Sequence, residues 1–277
     1  MSSLVYNPAT LRRLHDLANH PPQSLLLTGQ VGVGLLTAAR HIAKKHGNPH
    51  VIRPTDAKGT VDYAQGSIRI DQIRALRRST RGKATSRRFV IIDDADRLTA
   101  AAQNAFLKLL EEPPHALYII LTSHRSHGLL ATIRSRVQTV RILPPHSAQM
   151  QDQLSHLGIV DEKQRRQLQF IAPQQPATVA RLVDDSASFQ ATTEMMTDAR
   201  RFMTGDHYQK LIIIHHYLKD RGPALAFLEC VCTMGWRMIQ QRSSDELLAT
   251  LQAVDGAYEA IAAGGNLRLQ LLACAIL

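Results

Sequence analysis

The segment that most constrains the fold is Phe89 to Pro114, FVIIDDADRLTAAAQNAFLKLLEEPP. It opens on the apolar run Phe89-Val90-Ile91-Ile92, whose length fits a strand buried on both faces. Strands of that kind belong to parallel sheets covered by helices on either side. Asp93 and Asp94 close the run, and Asp96 follows. Carboxylates at the C-terminal end of a buried parallel strand stand where open α/β sheets bind ligands. Thr99 is then placed to cap a helix, with Ala102, Ala105, Phe106 and Leu109 at helical spacing. Pro113 and Pro114 end it, because proline has no N–H to continue the ladder.

Leu117 to Thr122 reads as a second buried strand, and Thr132-Ile133-Arg134-Ser135-Arg136-Val137-Gln138 follows. A strand ending in Asp-Asp-Ala-Asp, then NAFLKLLEEPP, then a strand ending in LTSHR, then IRSRVQ, resembles the clamp-loader branch of the AAA+ ATPases. Within that branch the likeness is to the delta-prime family of the bacterial DNA polymerase III clamp loader. The linked motifs run in the family's order over residues 89–138. The resemblance implies an α/β AAA+ module over residues 1–145, with a five-stranded parallel sheet and flanking helices. A small helical lid over 146–185 and an all-α collar domain over 186–277 would follow. Other readings fit that outline: helix over 8–19, strands over Ser24 to Thr28, His50 to Pro54 and Gln138 to Ile142, and helix over Tyr208 to Leu218 broken by Gly222-Pro223.

Gly29-Gln30-Val31-Gly32-Val33-Gly34-Leu35-Leu36-Thr37 lies between a strand and a helix, where a phosphate-binding loop belongs. Its glycine spacing is right and its next two residues are not. Lysine is needed there to reach the β- and γ-phosphates, then serine or threonine to hold Mg²⁺. Leu35 and Leu36 can do neither, and Thr37 sits one residue late, roughly 100° around the helix. Further on, Gln174 to Arg181 resembles the family's lid helix start, with Thr178 where an arginine would touch nucleotide. Gly29, Gly32, Gly34, Leu35 and Leu36 therefore read as a degenerate loop, and the acidic strand end Asp93 and Asp94 as what remains of a metal-binding edge. No cofactor is expected.

By resemblance, Ser135-Arg136-Val137 takes the place of the family's Ser-Arg-Cys motif, in which the arginine reaches the γ-phosphate of ATP held by a neighbouring subunit. Arg136, with Ser135, is thus the expected catalytic contribution, made in trans. Residues 68 to 88 carry Arg69, Arg74, Arg77, Arg78, Arg81, Lys83, Arg87 and Arg88 against Asp71 alone, a footprint for DNA backbone or an acidic partner. The family's DNA-facing helix starts add Arg97, Thr99 and Gln103 to Arg69 and Arg74 as candidate DNA contacts.

The chain of 277 residues has a formal charge of +10, which also suits a polyanionic partner. Three cysteines, Cys230, Cys232 and Cys274, read as helix-core thiols. None precedes Cys230, so the four-cysteine zinc module of many relatives is not expected, nor any other metal. No stretch is apolar enough to span a bilayer, and Met-Ser-Ser-Leu-Val-Tyr does not open a signal peptide, so a cytoplasmic protein without membrane contact is expected. The leading function is a non-catalytic clamp-loader subunit. Its expected partners are gamma/tau-like and delta-like subunits and primed DNA, with the sliding clamp a further candidate. An ATP-hydrolysing gamma/tau-like subunit and a stand-alone AAA+ DNA-binding adaptor are the alternatives.

Overall fold

The apolar runs become parallel strands: β1 (Ser24–Thr28), β2 (His50–Ile52), β3 (Arg88–Ile92), β4 (Leu117–Ser123) and β5 (Gln138–Arg141). They lie side by side in the order β2-β3-β4-β1-β5, every neighbouring pair parallel. This is a computed structural model of the chain, and the residues it describes are 5–63, 65–80, 86–241 and 245–276. Two units make up the chain, Met1–Asp184 and Asp185–Leu277.

In the first unit, helices α1 (Pro8–Asn19), α2 (Leu35–Lys44), α3 (Ile70–Thr80), α4 (Ala100–Glu111) and the single turn α5 (Ala131–Arg134) accompany the sheet. Three further helices complete it: α6 (Ser147–His156), α7 (Glu162–Ile171) and α8 (Pro176–Asp184). Successive strand residues point to opposite faces, so each strand feeds two cores. Leu25 and Leu27 join Leu14 and Leu17 of α1 and Ala39 and Ile42 of α2. Leu26 joins Ile73 of α3 and Phe106 and Leu109 of α4 on the other face. Register makes each layer continuous: Leu26 stands opposite Leu121 and Val90 opposite Ile119, all on the α4 side.

The connection after β1 turns to the face of α2, whereas the one after β4 turns to the face that holds Ile133 of α5. Between these neighbouring strands the chain parts, and α/β sheets bind ligands in the crevice such a switch point leaves.

The second unit is helical: α9 (Ser186–Thr204), α10 (His207–Tyr217), α11 (Arg221–Gln241), α12 (Asp245–Ala262) and α13 (Leu267–Ile276). Asp185 and Asp206 cap α9 and α10 by accepting from the N–H groups of Ser188 and Gln209. The core is centred on Phe227, which meets the Phe202 ring edge-on at 5.7 Å and stacks on Tyr217 at 4.2 Å. The helix break expected at Gly222-Pro223 falls a few residues earlier, between Tyr217 of α10 and Arg221 of α11. The pair lies in the first turn of α11, where proline's missing N–H has no partner to lose.

Phe106 is fully buried in the α4-side core. Phe106→Ala is expected to cost about 3–5 kcal/mol, with Phe106→Leu costing less. Urea unfolding followed by circular dichroism checks this. The fluorescence of Trp236, the sole tryptophan and part of α11, is expected to keep its own midpoint.

Candidate functional site

The strand ends at the switch point bring together the two stretches that the sequence reading singled out, the glycine-rich loop and the acidic strand end. On the loop side, Gly32 and Gly34 take left-handed backbone angles, φ 79° and 93°, and Gly34 caps α2. Leu35 turns inward, 3 % exposed, and packs with Val33 and Ala39 in the α2-side core. The Leu35 side chain thus serves the α2-side core, and Leu36 packs against the same cluster. Tyr6 anchors the loop from behind, its hydroxyl donating to the Gly34 carbonyl at 2.8 Å.

The start of α8 closes over this loop. Ala177 N–H donates to the Gly32 carbonyl at 2.9 Å, and the Gln30 amide donates to the Gln174 carbonyl at 3.3 Å. A Cβ on Gly32 would collide with Thr178 Oγ1 and stand 2.7 Å from Gln175. Thr178, expected where an arginine would touch nucleotide, instead donates to Gln175 Oε1 at 3.0 Å.

On the acidic side, Asp93 is 4 % exposed and both its oxygens accept. Thr122 Oγ1 donates to Oδ1 and the Tyr63 hydroxyl to Oδ2, each at 2.7 Å. Burial and then Asp93 push the Tyr63 hydroxyl well above the usual phenol range. Asp94 follows in the left-handed region at φ 51°, its N–H donating to Thr122 Oγ1 at 3.0 Å. Its carboxylate faces His124 Nε2 at 3.7 Å and Arg97 Nε at 3.9 Å. Burial raises the Asp94 pKa; His124 opposes this, while Asp93 and Asp96 add to it. The other His124 ring nitrogen, Nδ1, lies 2.9 Å from the Gly29 carbonyl and donates to it, so this ring ties the two stretches together. Tyr63, Thr122 and His124 were not singled out from sequence. Thr122 and His124 sit in the LTSHR strand end, but Tyr63 comes from an irregular loop with no pattern to flag it.

Arg136 follows the turn of α5 and is 39 % exposed. Its Nη2 pairs with Glu111 Oε1 at 3.1 Å, and its Nη1 donates to the Thr132 carbonyl at 3.0 Å. Ser135 Oγ donates to the same carbonyl at 3.1 Å. The last residue of α4 thus holds the guanidinium at the surface.

The residues read as DNA contacts are spent unequally on the fold. Gln103 is corrected: it is 6 % exposed, donates to the Leu98 and Gly128 carbonyls and accepts from Leu130 N–H at 2.8 Å. With both ends of its amide engaged inside, it cannot reach a phosphate. Thr99 caps α4 by accepting from Ala102 N–H, and Arg97 donates to the Gly66 carbonyl at 3.2 Å. Arg69 donates to the Thr55 and Asp56 carbonyls, whereas Arg74 is exposed and only 4.0 Å from Asp71. Arg88 donates to Thr80 O at 2.7 Å and Arg87 lies over the Tyr118 ring; Arg81 and Lys83 lie outside the described residues.

Because the folded state raises the Asp94 pKa, ionising it costs stability as pH rises through that raised value. Asp94→Asn is therefore expected to raise the thermal midpoint at pH 7. The gain should fade below the usual aspartate range, where the carboxyl is protonated folded or unfolded. Thermal melts at pH 7 and pH 3 check the sign.

The model of the family described as DNA polymerase III, delta subunit, matches residues 40–146. The delta-prime subunit of Haemophilus influenzae is 34% identical over 110 residues, covering 38% of this chain and 31% of that protein. That of Bacillus subtilis is 29% identical over 177 residues, covering 54% of this chain and 49% of its own length. These stretches thus span 31% and 49% of the relatives they match. In fold, the structure of a DNA polymerase III gamma subunit-related protein from Thermotoga maritima aligns over 96% of this chain and 97% of its own, with a TM-score of 0.57 at 17% identity. The five-stranded parallel sheet with its flanking helices is an AAA+ module followed by a helical C-terminal unit. In sequence this chain is similar to delta-prime subunits over part of its length, and in fold it is similar to a gamma subunit-related protein.

Proposed function

We propose that the chain is a delta-prime-like, non-hydrolysing subunit of a DNA polymerase III clamp loader, working in the cytoplasm with gamma/tau-like and delta-like subunits. The observation that carries this reading is the phosphate loop. Leu35 lies in the core where lysine would meet phosphate, and Ala177 N–H occupies the Gly32 carbonyl. A nucleotide entering there would have to break the contact of α8 with the loop and would gain no cation in return. The acidic side argues the same way, because Asp93 already satisfies both oxygens with Tyr63 and Thr122.

Arg136 is the contribution we assign to a neighbour's site. A guanidinium stays charged and offers a planar fork of donors to the oxygens of a transferring phosphoryl group. Its pairing with Glu111 is half-exposed, and such pairs are worth about 0–1 kcal/mol, so a γ-phosphate can displace the carboxylate. In the second unit, Tyr208 and Ile212 of α10 and Leu269 and Ile276 of α13 are exposed apolar side chains. His207, at the start of α10, bonds to the Ala275 carbonyl on α13. We assign this surface to packing among subunits in a collar. Primed DNA is the proposed polyanion, met at the start of α4, where the helix N-terminus favours phosphate and Arg97 stands just before the Thr99 cap.

The surviving carboxylates Asp93 and Asp94 favour a second reading, an ATP-hydrolysing subunit of gamma/tau type. Titration of the full chain with a fluorescent ATP analogue and Mg²⁺ separates the two. No saturable binding is expected up to concentrations well above micromolar, and micromolar affinity would promote the second reading. In a reconstituted complex with its other arginines intact, Arg136→Ala is expected to lower DNA-stimulated ATP turnover and clamp loading. Trans arginines contribute roughly 10³–10⁵ in rate at a single site, so a complex with several sites should lose one site's share. Unchanged turnover with assembly confirmed would remove the trans role. Failure to co-purify other subunits would leave a stand-alone adaptor.

A further inference from the structure

Helices α3 and α4 pack side by side on one face of the sheet, and a cavity of about 440 Å³ opens between them. Its apolar lining, or floor, comes from Ile70 and Ile73 of α3 and from Ala101 and Ala105 of α4. Cations come from both helices: Arg74 and Arg77 on α3, and Lys108 on α4. Asn104, one turn before Lys108, adds an amide. Among the described residues that line the groove, none is acidic. Arg77 and Lys108 are exposed and make no ion pair with another described residue. Arg74 has only the exposed Asp71 at 4.0 Å, a contact worth at most a few tenths of a kcal/mol.

Cations gathered from two helices around one trough repel each other, and nothing the fold needs explains their meeting there. From this groove we infer a docking site for a partner protein's peptide segment in which acidic residues alternate with apolar ones. The sign of the ligand follows from the cations. Its class follows from the floor. A sugar–phosphate backbone would neutralise Arg77 and Lys108 but bring nothing apolar to cover Ile70 and Ala105, and none of the described residues lining the groove is an aromatic that could stack a base. A peptide satisfies both features at once. Its carboxylates meet the cations on either wall, its apolar side chains leave water on the floor, and the Asn104 amide can both donate to and accept from its backbone. Arg74, read from sequence as a DNA contact, is reassigned to this groove. The inference does not depend on the clamp-loader reading, since it uses no part of the nucleotide cleft.

The test uses the full chain and three probes: a short fluorescein-labelled peptide alternating aspartate with leucine, the same peptide with serine for leucine, and a primed DNA duplex. The aspartate–leucine peptide is expected to bind saturably, and the serine version about tenfold more weakly or worse, since the floor then has nothing to bury. Arg77→Glu with Lys108→Glu should weaken the first peptide by about tenfold or more, by removing and reversing the charges it meets. Ala101→Phe, which fills the floor at an exposed position and leaves every charge in place, should weaken it as well. Primed DNA should not displace it. No peptide binding, equal binding of the two peptides, indifference to both variants, or displacement by DNA through the same residues would each overturn the proposal, the last in favour of a nucleic-acid surface.

Discussion

The hydroxyls of Thr122 and Tyr63 let a carboxylate stay where Asp93 stays, at the buried end of β3. An ionised group so removed from water is tolerated only when its oxygens are paired. Here one donor comes from the neighbouring strand and the other from the loop before α3. The same Thr122 oxygen receives the Asp94 N–H, which fixes the chain as it turns through the left-handed region. A short 3-10 turn, Ala95–Arg97, follows at once, then the Thr99 cap and α4. One polar cluster thus sets the direction of the helix that supplies Phe106 to the core, Glu111 to Arg136 and Lys108 to the groove.

On the opposite side of the crevice the glycine-rich loop is joined to the rest of the unit by its own contacts. Left-handed glycines normally let a loop's backbone approach a phosphate closely. At Gly32 the space that glycine leaves is filled by Thr178 and Gln175, and the first turn of α8 is bonded to the loop. His124 then links the loop to the acidic strand end through the Gly29 carbonyl and Asp94. These contacts bind the loop, the start of α8 and the acidic strand end to one another directly.

Much of this was legible because buried parallel strands are short unbroken apolar runs, and their ends carry the chemistry. Val90 to Ile92 followed by paired aspartates gave away both the sheet and the place of the site. The position of Leu35 after the glycines was legible, although not that its side chain would enter the core. Gln103 misled because a polar residue one turn into a helix looks exposed, and only the packing of Gly128 and Leu130 against it turns it inward. Tyr63 was invisible, since its partner Asp93 lies far along the chain and the loop has no periodicity. The α3–α4 groove needed both helices in place, because half of its charge comes from each. Gly222-Pro223 marked the break between α10 and α11, but the pair lies in the first turn of the second helix rather than between the two.

Arg136 meets the outside already in company. Any anion that engages it must exchange with Glu111 and return that carboxylate to water, so what is gained is a difference between two pairings rather than the whole of one. A newcomer with a single carboxylate would offer the guanidinium little more than it already has. A group with greater negative charge and more oxygens within reach of the same fork would come out ahead. The resident partner therefore acts as a threshold: it sets a minimum charge density below which a passing anion leaves the arginine where it is.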